Sequence, residues 1–488
     1  MLALYNGKFY IDGSFKEALL IDGQVIRATG SDDEILAMTC DGDEKIDLGG
    51  RLAMAGFIDS HAHGPLSLGY TAGKIDLNPV DNEAAYLEII SKYVEEHPDV
   101  ELYSGMGWIN PAFESQCPDK ESLDKISPDK PIVLYSGDGH SAWANSRAIE
   151  IAGVTPDTPN PQGGLIEKNP DGSLRGCFRD EARYMMLDLI PETSVEDFKL
   201  AISEYQQMMV RYGCTATFDP MVDVNSNLHK AYREMAEDDA LLIKARMAYS
   251  SVPEAPMDLL PAYSEIKKSD CNKLYEGRFV KIFVDGVVEG GTAYLKDDYC
   301  NNPGYRGEPI WGQDKLNEFC AAVDKAGYDL HFHVIGDAAA DQMLTAIEYI
   351  NEVNGERPRN TVSAHMQIVD PADYDRLKKL DIRISSNPYW FLKGPGYFDD
   401  IEFPGLGERA LKEYPMASFF DMGLVVSAAS DFSVTPVPYA PLGIETAMLR
   451  TMYGEKATTR MKFSGRMKES LWNRASMPSP STVPSRWA

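Results

Sequence analysis

The stretch GFIDSHAHG, residues 56–64, places an aspartate and two histidines at alternate positions after an apolar approach. Alternate residues of a β-strand point to the same side, so Asp59, His61 and His63 can converge on one point. Imidazole is the commonest nitrogen ligand for zinc-like metals. A hydrogen-bonded place in the core is the better interpretation for any single histidine, so this stretch alone indicates a metal site only weakly.

Further short apolar strands follow this stretch and alternate with helical segments. Examples are LLIKARMAYS, GRFVKIFVDG, YDLHFHVIG, TVSAHMQI and GLVVSAASD, while DAAADQMLTAIEYINEV has the periodicity of an amphipathic helix. Strands followed by such helices indicate a parallel sheet covered by helices. Roughly eight units of this kind predict an α/β fold, a (β/α)8 TIM barrel, whose active site would lie at the carboxyl ends of its strands.

Three segments fall outside the barrel pattern. Residues 1–54 contain short alternating strands joined by Asn-Gly, Asp-Gly and Gly-Gly turns, which predict a small antiparallel β module. The long separation between the HAH strand and CTATFD predicts an inserted subdomain around 64–210, within a barrel domain of 55–452. Residues 453–488 are basic and rich in Ser and Pro, which predicts a disordered tail.

The composition limits the partners of the protein. The 488 residues include 47 Lys and Arg against 75 Asp and Glu, and the formal net charge of −28 repels nucleic acids and anionic membranes. No apolar run is long enough for a membrane helix, and the amino terminus lacks a signal-peptide pattern. Seven dispersed cysteines without a CxxC pair indicate reduced thiols. We therefore expect a cytoplasmic protein that binds neither nucleic acid nor membranes.

Most of the histidines lie at or near the ends of predicted strands. These are His61, His63, His140, His331, His333 and His365. His97 and His229 lie in polar surroundings and are interpreted as solvated side chains. Lys281 lies inside the apolar strand FVKIFVDG, so its pKa should fall, its amine should be modified, or it should pair with a carboxylate such as Asp285. Asp431, at the end of VVSAASD, is placed to bind metal, accept a proton or cap a loop.

Six motifs in this order closely resemble the amidohydrolase superfamily, in its YtcJ-like amidohydrolase family 3 branch. They are GFIDSHAH, DGHSAWANSRAI, VKIFVDG, HFHVIGDAA, SAHMQIVD and the ASD before FSVTP, and the resemblance covers about residues 2–452. It implies a metal-dependent hydrolase on a (β/α)8 barrel, with a composite β-sandwich built from both chain ends. The implied cofactor is one or two divalent ions, with zinc expected, and the implied ligands are His61, His63, Lys281, His333, His365 and Asp431. In the family the lysine is typically carbamylated, and the aspartate also handles protons.

Three further residues near the implied ligands are expected to have supporting roles. His331 lies further from the carboxyl end of its strand than His333, so we expect His331 to support a ligand or to pack rather than to bind metal. Asp59 lies deeper on the face of the histidine pair and is expected to orient a ligand. On the motif match alone, His140 is expected to face the substrate or to steady a developing oxyanion.

Other positions leave the interpretation open. Trp108 and Trp143 would wall the pocket or belong to the core. Ala429 and the sequence VVEGGTAYL differ from the usual pattern, so a substrate preference cannot be transferred. Nothing after Leu449 resembles the hydrophobic closing segment, of the form GKLADLVVLD, that pairs with the amino-terminal module in the family. We therefore expect an incomplete sandwich with an uncovered apolar surface and interpret the tail as a frameshifted or truncated terminus.

The sequence predicts a metal-dependent amidohydrolase that uses metal-activated water to cleave an amide-type C–N bond, other than a peptide bond, in a small molecule. One alternative is a deaminase or ester hydrolase with one metal at the same site. Another is an inactive or regulatory truncated paralogue. Homo-oligomers are expected from the resemblance, although no sequence feature demonstrates one.

Overall fold

The computed structural model describes residues 1–11, 13–69, 73–77, 80, 82–113, 117–137, 141–161, 164–251, 253, 256–269, 274–394 and 397–450. These residues form two compact units. The first comprises 1–63, 208–224 and the described residues from 241 onward, and the second comprises the described residues of 64–207 and 225–240. The tail predicted for 453–488 lies outside the described residues, and the domain boundaries drawn from the sequence stay a prediction.

Eight strands form the barrel sheet of the first unit, and we number them one to eight in chain order. They are Phe57–Asp59, Cys214–Val222, Lys244–Ser250, Tyr275–Phe283, Asp329–Val334, Val362–His365, Arg383–Ser386 and Val426–Ala428. Each strand pairs in parallel with the next. The backbone N–H of Ser60 donates to the carbonyl of Ala428 at 3.3 Å and brings strand eight back to strand one. The predicted α/β barrel is confirmed.

Helices follow most of these strands. The α-helices of the first unit are Leu260–Ser269, Gln313–Lys325, Asp337–Asn354, Tyr374–Lys379, Phe403–Leu406, Met416–Asp421 and Ala440–Leu449. Shorter turns of 3-10 helix are Pro256–Leu259, Pro371–Asp373, Pro388–Trp390 and Gly407–Lys412, and Phe398–Glu402 is a π-helical turn. Strand five is buried along its whole length because a parallel sheet is covered on both faces.

A β module precedes the barrel. Its strands are Leu2–Tyr5, Lys8–Ile11, Ser14–Lys16, Ala18–Asp22, Val25–Gly30, Glu44–Asp47 and Leu52–Met54, and its helix is Asp32–Leu36. The prediction of an antiparallel module is wrong in part, since Leu2–Tyr5 pairs in parallel with Glu44–Asp47 and Lys8–Ile11 pairs in parallel with Leu52–Met54. Turn residues specify local hairpins, whereas these two pairs join strands separated by a long crossover.

Large apolar side chains of this module are exposed. Phe15 is 62% exposed, Leu52 59% and Ile26 55%. An uncovered apolar surface is what the sequence predicts for a module without its closing segment. The closing segment would lie after residue 450, outside the described residues, so its predicted loss stays a prediction.

The second unit is built on another sheet. Its strands, in spatial order, are Gly164–Lys168, Leu174–Asp180, Ser141–Ala144, Ile132–Ser136, Tyr103–Trp108 and Ile75–Asp76. Its α-helices are Gly64–Leu68, Glu83–Glu96, Lys120–Asp124, Ser146–Ile151, Tyr184–Leu187 and Asn227–Glu237, with 3-10 turns Asn110–Ala112 and Glu181–Arg183, and Val195–Arg211 runs on into the first unit. Trp108 and Trp143 are fully buried in its core, which favours the packing interpretation.

Two predictions concern histidines in this unit. His97 is exposed, as expected, and stacks on Tyr93. His229 is buried, so its interpretation as a solvated side chain is wrong. The helical period places His229 on the same face as Tyr232 and Ala236, which are also buried. Burial of His229 is therefore determined by this helix face and not by its polar neighbours in the sequence. Among the helices of the described residues, none combines the length and apolarity needed to span a bilayer.

A buried polar cluster joins the segments that follow strands six and seven. The Gln367 side-chain amide donates to Glu402 at 2.7 Å and to Glu413 at 3.0 Å. The Lys393 ammonium contacts the Glu413 carboxylate and donates to the carbonyl of Ala410 at 2.6 Å. Burial, with the neighbouring Glu413, raises the pKa of Glu402 to about 9. Glu402 is therefore protonated in the folded protein at neutral pH.

This cluster predicts a pH dependence of stability. Because the pKa of Glu402 is higher in the folded chain than its ordinary value of 4.5, its contribution is complete below pH 4.5 and is lost as the pH rises through 9. The loss is at most about 1.4 kcal/mol per pH unit. In urea unfolding between pH 6 and 9, Glu402→Gln should lose less stability than the unmodified protein. Glu408→Gln, at a nearby exposed site, should follow the unmodified protein, and equal slopes for all three would contradict the assignment.

Candidate metal centre

The barrel gathers the predicted ligands of the sequence at the carboxyl ends of its strands. His61 and His63 follow strand one, Lys281 lies in strand four, His331 and His333 lie in strand five, His365 ends strand six and Asp431 follows strand eight. Neighbouring parallel strands end on the same side of a barrel, so residues distant in sequence become neighbours there. His140 lies outside the described residues, and its predicted role stays a prediction.

His61, His63 and Asp431 form the tightest group. The Nε2 atom of His63 lies 3.2 Å and that of His61 3.6 Å from Oδ1 of Asp431. One ligand atom from each residue lies within 4.8 Å of those of the other two. The Nζ atom of Lys281 lies 3.5 Å from Nε2 of His61. Three side chains capable of ligating a metal and one amine thus face a common point.

Backbone hydrogen bonds between strands one and eight fix this group. The N–H of Asp431 donates to the carbonyl of His61 at 2.8 Å, and the N–H of His63 donates to the carbonyl of Phe432 at 2.5 Å. Asp431 has a φ of 55° and His365 a φ of 71°. Non-glycine residues rarely adopt this left-handed region, and such strain concentrates at functional sites.

Asp59 acts on the backbone of the site. Its buried carboxylate accepts hydrogen bonds from the N–H of Ser430 at 3.0 Å, from the hydroxyl of Ser430 at 2.5 Å and from the N–H of His61 at 3.3 Å. Burial raises the pKa of Asp59 to about 6 despite these donors. Asp59 therefore ties the segment that carries the two first histidines to the segment that carries Asp431.

Two further histidines complete the ring of side chains. Nε2 of His333 lies 3.1 Å from the carbonyl oxygen of Gly286, and Nδ1 of His365 lies 2.8 Å from the side-chain oxygen of Asn387. A neutral imidazole donates from one nitrogen and keeps a lone pair on the other. These contacts leave Nδ1 of His333 and Nε2 of His365 as the nitrogens with a lone pair. The two rings lie 4.5 Å apart, and the His365 ring lies 5.0 Å from that of His61.

His331 contacts the other side of the His61 ring. Its Nε2 lies 3.1 Å from Nδ1 of His61, whereas Nε2 of His61 faces Lys281 and Asp431. The His331 ring also stacks on Phe218 at 4.9 Å. This geometry suits a residue that orients His61 better than one that binds the same ion.

Burial keeps the imidazoles neutral. It lowers the pKa of His61, His331 and His333 well below the ordinary value and lowers that of His365 to about 4. Neutral imidazole is the form that binds metal. Burial alone would raise the pKa of Asp431, but contact with His63 and the neighbouring His365 outweighs it and the pKa is lowered. The site at neutral pH therefore presents lone pairs and one carboxylate.

Lys281 is buried without a neutralising partner. Burial lowers its pKa to about 7, against the opposing charges of Asp431 and Asp219. Among the described residues it forms no ion pair, and Asp285 does not supply one. The Asp285 carboxylate instead accepts from the backbone N–H groups of Tyr294 at 2.9 Å, Ile335 at 3.0 Å and Gly336 at 2.8 Å. Pairing of Lys281 with Asp285, one of the sequence alternatives, is therefore not observed.

The donor set fits a divalent cation. Oδ1 of Asp431 is buried and makes no hydrogen bond of normal geometry with any described residue. Imidazole nitrogens converge on this buried carboxylate oxygen, and its burial without a regular hydrogen bond is costly unless a cation lies beside it. Imidazole with carboxylate is a ligand combination typical of zinc.

Several contacts at the site are missed by the sequence reasoning. Asn387 orients His365, and Trp390 stacks on the His365 ring at 5.2 Å while its indole N–H donates to Thr435 at 3.0 Å. Asn387 directly follows strand seven, in the stretch DIRISSNP, and a polar residue at the carboxyl end of a barrel strand was the signal for it. The carbonyl of Gly286 leaves no signal in residue type, since every residue has a carbonyl.

Comparison with known proteins gives the family. The model of the amidohydrolase family Amidohydro_3 matches residues 44–472, and the chain belongs to this family. The putative amidohydrolase YtcJ of Bacillus subtilis (strain 168) is 26% identical over 467 residues, 92% of this chain and 84% of the relative. The predicted family and the class of metal-dependent amidohydrolase are confirmed.

Two further proteins are similar. An N-substituted formamide deformylase of Arthrobacter pascens is 25% identical over 435 residues, 86% of this chain and 77% of the relative. The crystal structure of an uncharacterized metal-dependent hydrolase from Pyrococcus furiosus superposes with a TM-score of 0.74 at 24% identity, covering 93% of this chain and 90% of that one. The likeness to the Pyrococcus furiosus structure supports the fold of this chain.

A series of histidine variants tests the donor set. His63→Ala removes a donor that faces Asp431 directly and should weaken zinc binding by more than the about 10- to 100-fold cost of losing an outer hydrogen-bond partner. His331→Ala should fall within that range, because it acts through His61. Competition with a chromophoric zinc chelator measures both. His97→Ala, at an exposed site, should bind zinc normally, and zinc affinity unchanged in His63→Ala would refute the donor set.

Proposed function

We propose that this member of the amidohydrolase family hydrolyses an amide-type C–N bond, other than a peptide bond, in a small molecule. The observation that carries the proposal is the convergence of neutral imidazoles, one ionised carboxylate and one unpaired buried lysine at the carboxyl ends of the barrel strands. Hydrolysis of an amide needs an activated water, a polarised carbonyl and a group that moves a proton to the leaving amine. The imidazoles, the lysine and the carboxylate could hold the metal that activates water and polarises the carbonyl, and the carboxylate could also transfer the proton.

The residues that would hold metal are His61, His63, Lys281, His333, His365 and Asp431. The nitrogen-rich set favours zinc, as one or two ions. When bound, such metal lowers the pKa of a water molecule towards neutrality and polarises the scissile carbonyl. The orienting contacts of His331, Asn387 and Gly286 hold the imidazoles in the tautomers that this requires.

We assign Lys281 as a carbamate. Its amine adds to the carbon of CO2, an N–C bond forms, and one proton is released, which leaves an anionic carbamate. A pKa of about 7 makes the neutral, nucleophilic amine available at neutral pH. An anionic group at this position would help to hold divalent cations and would be neutralised by them, whereas an unpaired buried ammonium is costly.

Asp431 is assigned to proton transfer. Its lowered pKa keeps the carboxylate ionised before the reaction, so it can accept a proton from the attacking water. It then returns the proton to the nitrogen of the leaving amine as the C–N bond breaks. Its placement by the backbone of His61 keeps the accepting oxygen beside the histidine pair. His140 is proposed to face the substrate, on its motif match alone.

The substrate class is proposed from the chemistry of the site together with one relative. The similar N-substituted formamide deformylase supports N-substituted formamides as the first compounds to test, followed by N-acyl amines and cyclic amides. A deaminase or ester hydrolase with one ion would use the same residues, and an inactive paralogue would show no turnover. The cytoplasmic location and homo-oligomer formation remain predictions.

Turnover tests the role of Asp431. With zinc-loaded protein and the compounds above, Asp431→Asn should lower kcat by at least about 100-fold, because the amide cannot accept the proton. Asp375→Asn, at an exposed position of helix Tyr374–Lys379, is the control and should keep full activity. Circular dichroism checks that both variants fold. Undiminished turnover in Asp431→Asn would overturn its assignment.

Native mass spectrometry tests the carbamate. Protein purified without chelator should carry two metal ions and an added mass of one CO2 per chain, and Lys281→Met should lose the added mass and at least one ion. The added CO2 should also disappear on acidification, since carbamates lose CO2 when protonated. One ion with an unmodified Lys281 would instead support the mononuclear alternative.

A further inference from the structure

Two cysteines of the second unit lie in the same core. Cys117 is 6% exposed and Cys177 is fully buried, and both belong to the cluster that contains Trp108 and Trp143. Cys177 lies in strand Leu174–Asp180, directly opposite Trp143 in the neighbouring strand. Cys117 precedes helix Lys120–Asp124. The two residues are 60 positions apart in the sequence, so their proximity is created by the fold.

Three contacts hold the segment of Cys117 against the strand of Cys177. The indole N–H of Trp143 donates to the carbonyl of Asp119 at 2.9 Å. The guanidinium of Arg175, two residues before Cys177, donates to the carbonyl of Cys117 at 3.1 Å. Gly176 has a φ of 102°, and a Cβ added there would lie 2.9 Å from the backbone nitrogen of Lys120. The backbone of the segment therefore packs directly on this strand.

The two cysteine side chains are close enough to shift each other's pKa. The neighbouring Cys177, with Arg175 and Arg179, lowers the pKa of Cys117 against the opposing effects of burial and Glu167, whereas Cys117 and burial raise the pKa of Cys177. In its protonated form, the Cys117 thiol donates to the carbonyl of Pro118 at 3.6 Å. A cysteine of lowered pKa beside a second thiol is the arrangement of an attacking and a resolving cysteine.

We propose that Cys117 and Cys177 are a modification site that forms a reversible disulfide with a small two-electron oxidant such as hydrogen peroxide. The Cys117 thiolate attacks one peroxide oxygen, the O–O bond breaks, and Cys117 becomes a sulfenic acid as hydroxide leaves. The Cys177 sulfur then attacks the Cys117 sulfur, the S–O bond breaks, and the thiol proton leaves with the hydroxyl group as water. Two thiols are thus oxidised while one peroxide is reduced, and a dithiol reductant reverses the change.

The disulfide would close a long loop within the second unit. The loop from 117 to 177 contains strands Ile132–Ser136, Ser141–Ala144 and Gly164–Lys168. A cross-link across a loop of this length restricts the unfolded chain strongly. The oxidised protein should therefore unfold at a higher urea concentration than the reduced protein, independently of the activity of the barrel.

Peptide mapping tests the proposal on the full chain. After brief treatment with equimolar hydrogen peroxide and alkylation of the remaining thiols, trypsin should release residues 93–120 joined to residues 176–179, and the intact mass should fall by two hydrogen atoms before alkylation. Dithiothreitol should restore both peptides. Recovery of the two peptides separately alkylated, while other cysteines are oxidised, would overturn the proposal.

Cysteine variants provide the matched control. Cys177→Ser should prevent the linkage and leave Cys117 as a sulfenic acid that a dimedone probe captures. Cys320 is also fully buried, in helix Gln313–Lys325, but burial alone sets its raised pKa. Cys320→Ser should form the 117–177 linkage normally. Loss of the linkage in Cys320→Ser, or a Cys117 that dimedone does not label in Cys177→Ser, would contradict the assignment, and the mapping of the unmodified chain decides the matter if a variant does not fold.

Discussion

The closure of the barrel between strands one and eight is the constraint on which the site depends. Asp59 accepts two hydrogen bonds from Ser430 and one from the N–H of His61, and the backbone N–H of Asp431 donates to the carbonyl of His61. Without this closure the first histidine pair and the last aspartate would belong to opposite ends of the barrel sheet. The buried carboxylate of Asp59 therefore holds the two segments in place, while the carboxylate of Asp431 remains available to bind metal and to accept a proton.

The second constraint is electrostatic. The protein buries four histidines and a lysine in one place, and burial lowers the pKa of each because an unpaired cation is costly there. Neutral side chains with outward hydrogen bonds turn their remaining lone pairs inward. Burying these groups costs free energy, but it leaves a set of lone pairs that can bind a cation. Binding of a cation would explain why the chain tolerates so many polar groups in its barrel core.

Sequence reasoning predicted the barrel and placed the predicted ligands at strand ends, because the period of the strands and the motif order are visible in residue types. It failed where tertiary packing decides. The parallel pairs of the amino-terminal module and the burial of His229 depend on crossovers and helix faces. The hydrogen-bond partners of His365 and His333 could not be predicted either. Asn387 is distant from His365 in the sequence, and residue type does not reveal a role for the backbone carbonyl of Gly286. Which ring nitrogen faces the centre follows only from those partners.

The central claim is that one cluster of side chains holds a divalent cation. An anomalous difference map at the zinc absorption edge, from crystals of the zinc-loaded protein, tests it most directly. We predict a peak about 2.0–2.2 Å from His61, His63 and Asp431, with His331 in contact with the His61 ring and not with the peak. A peak bound by other residues, or His61 and His63 without a peak between them, would contradict the account.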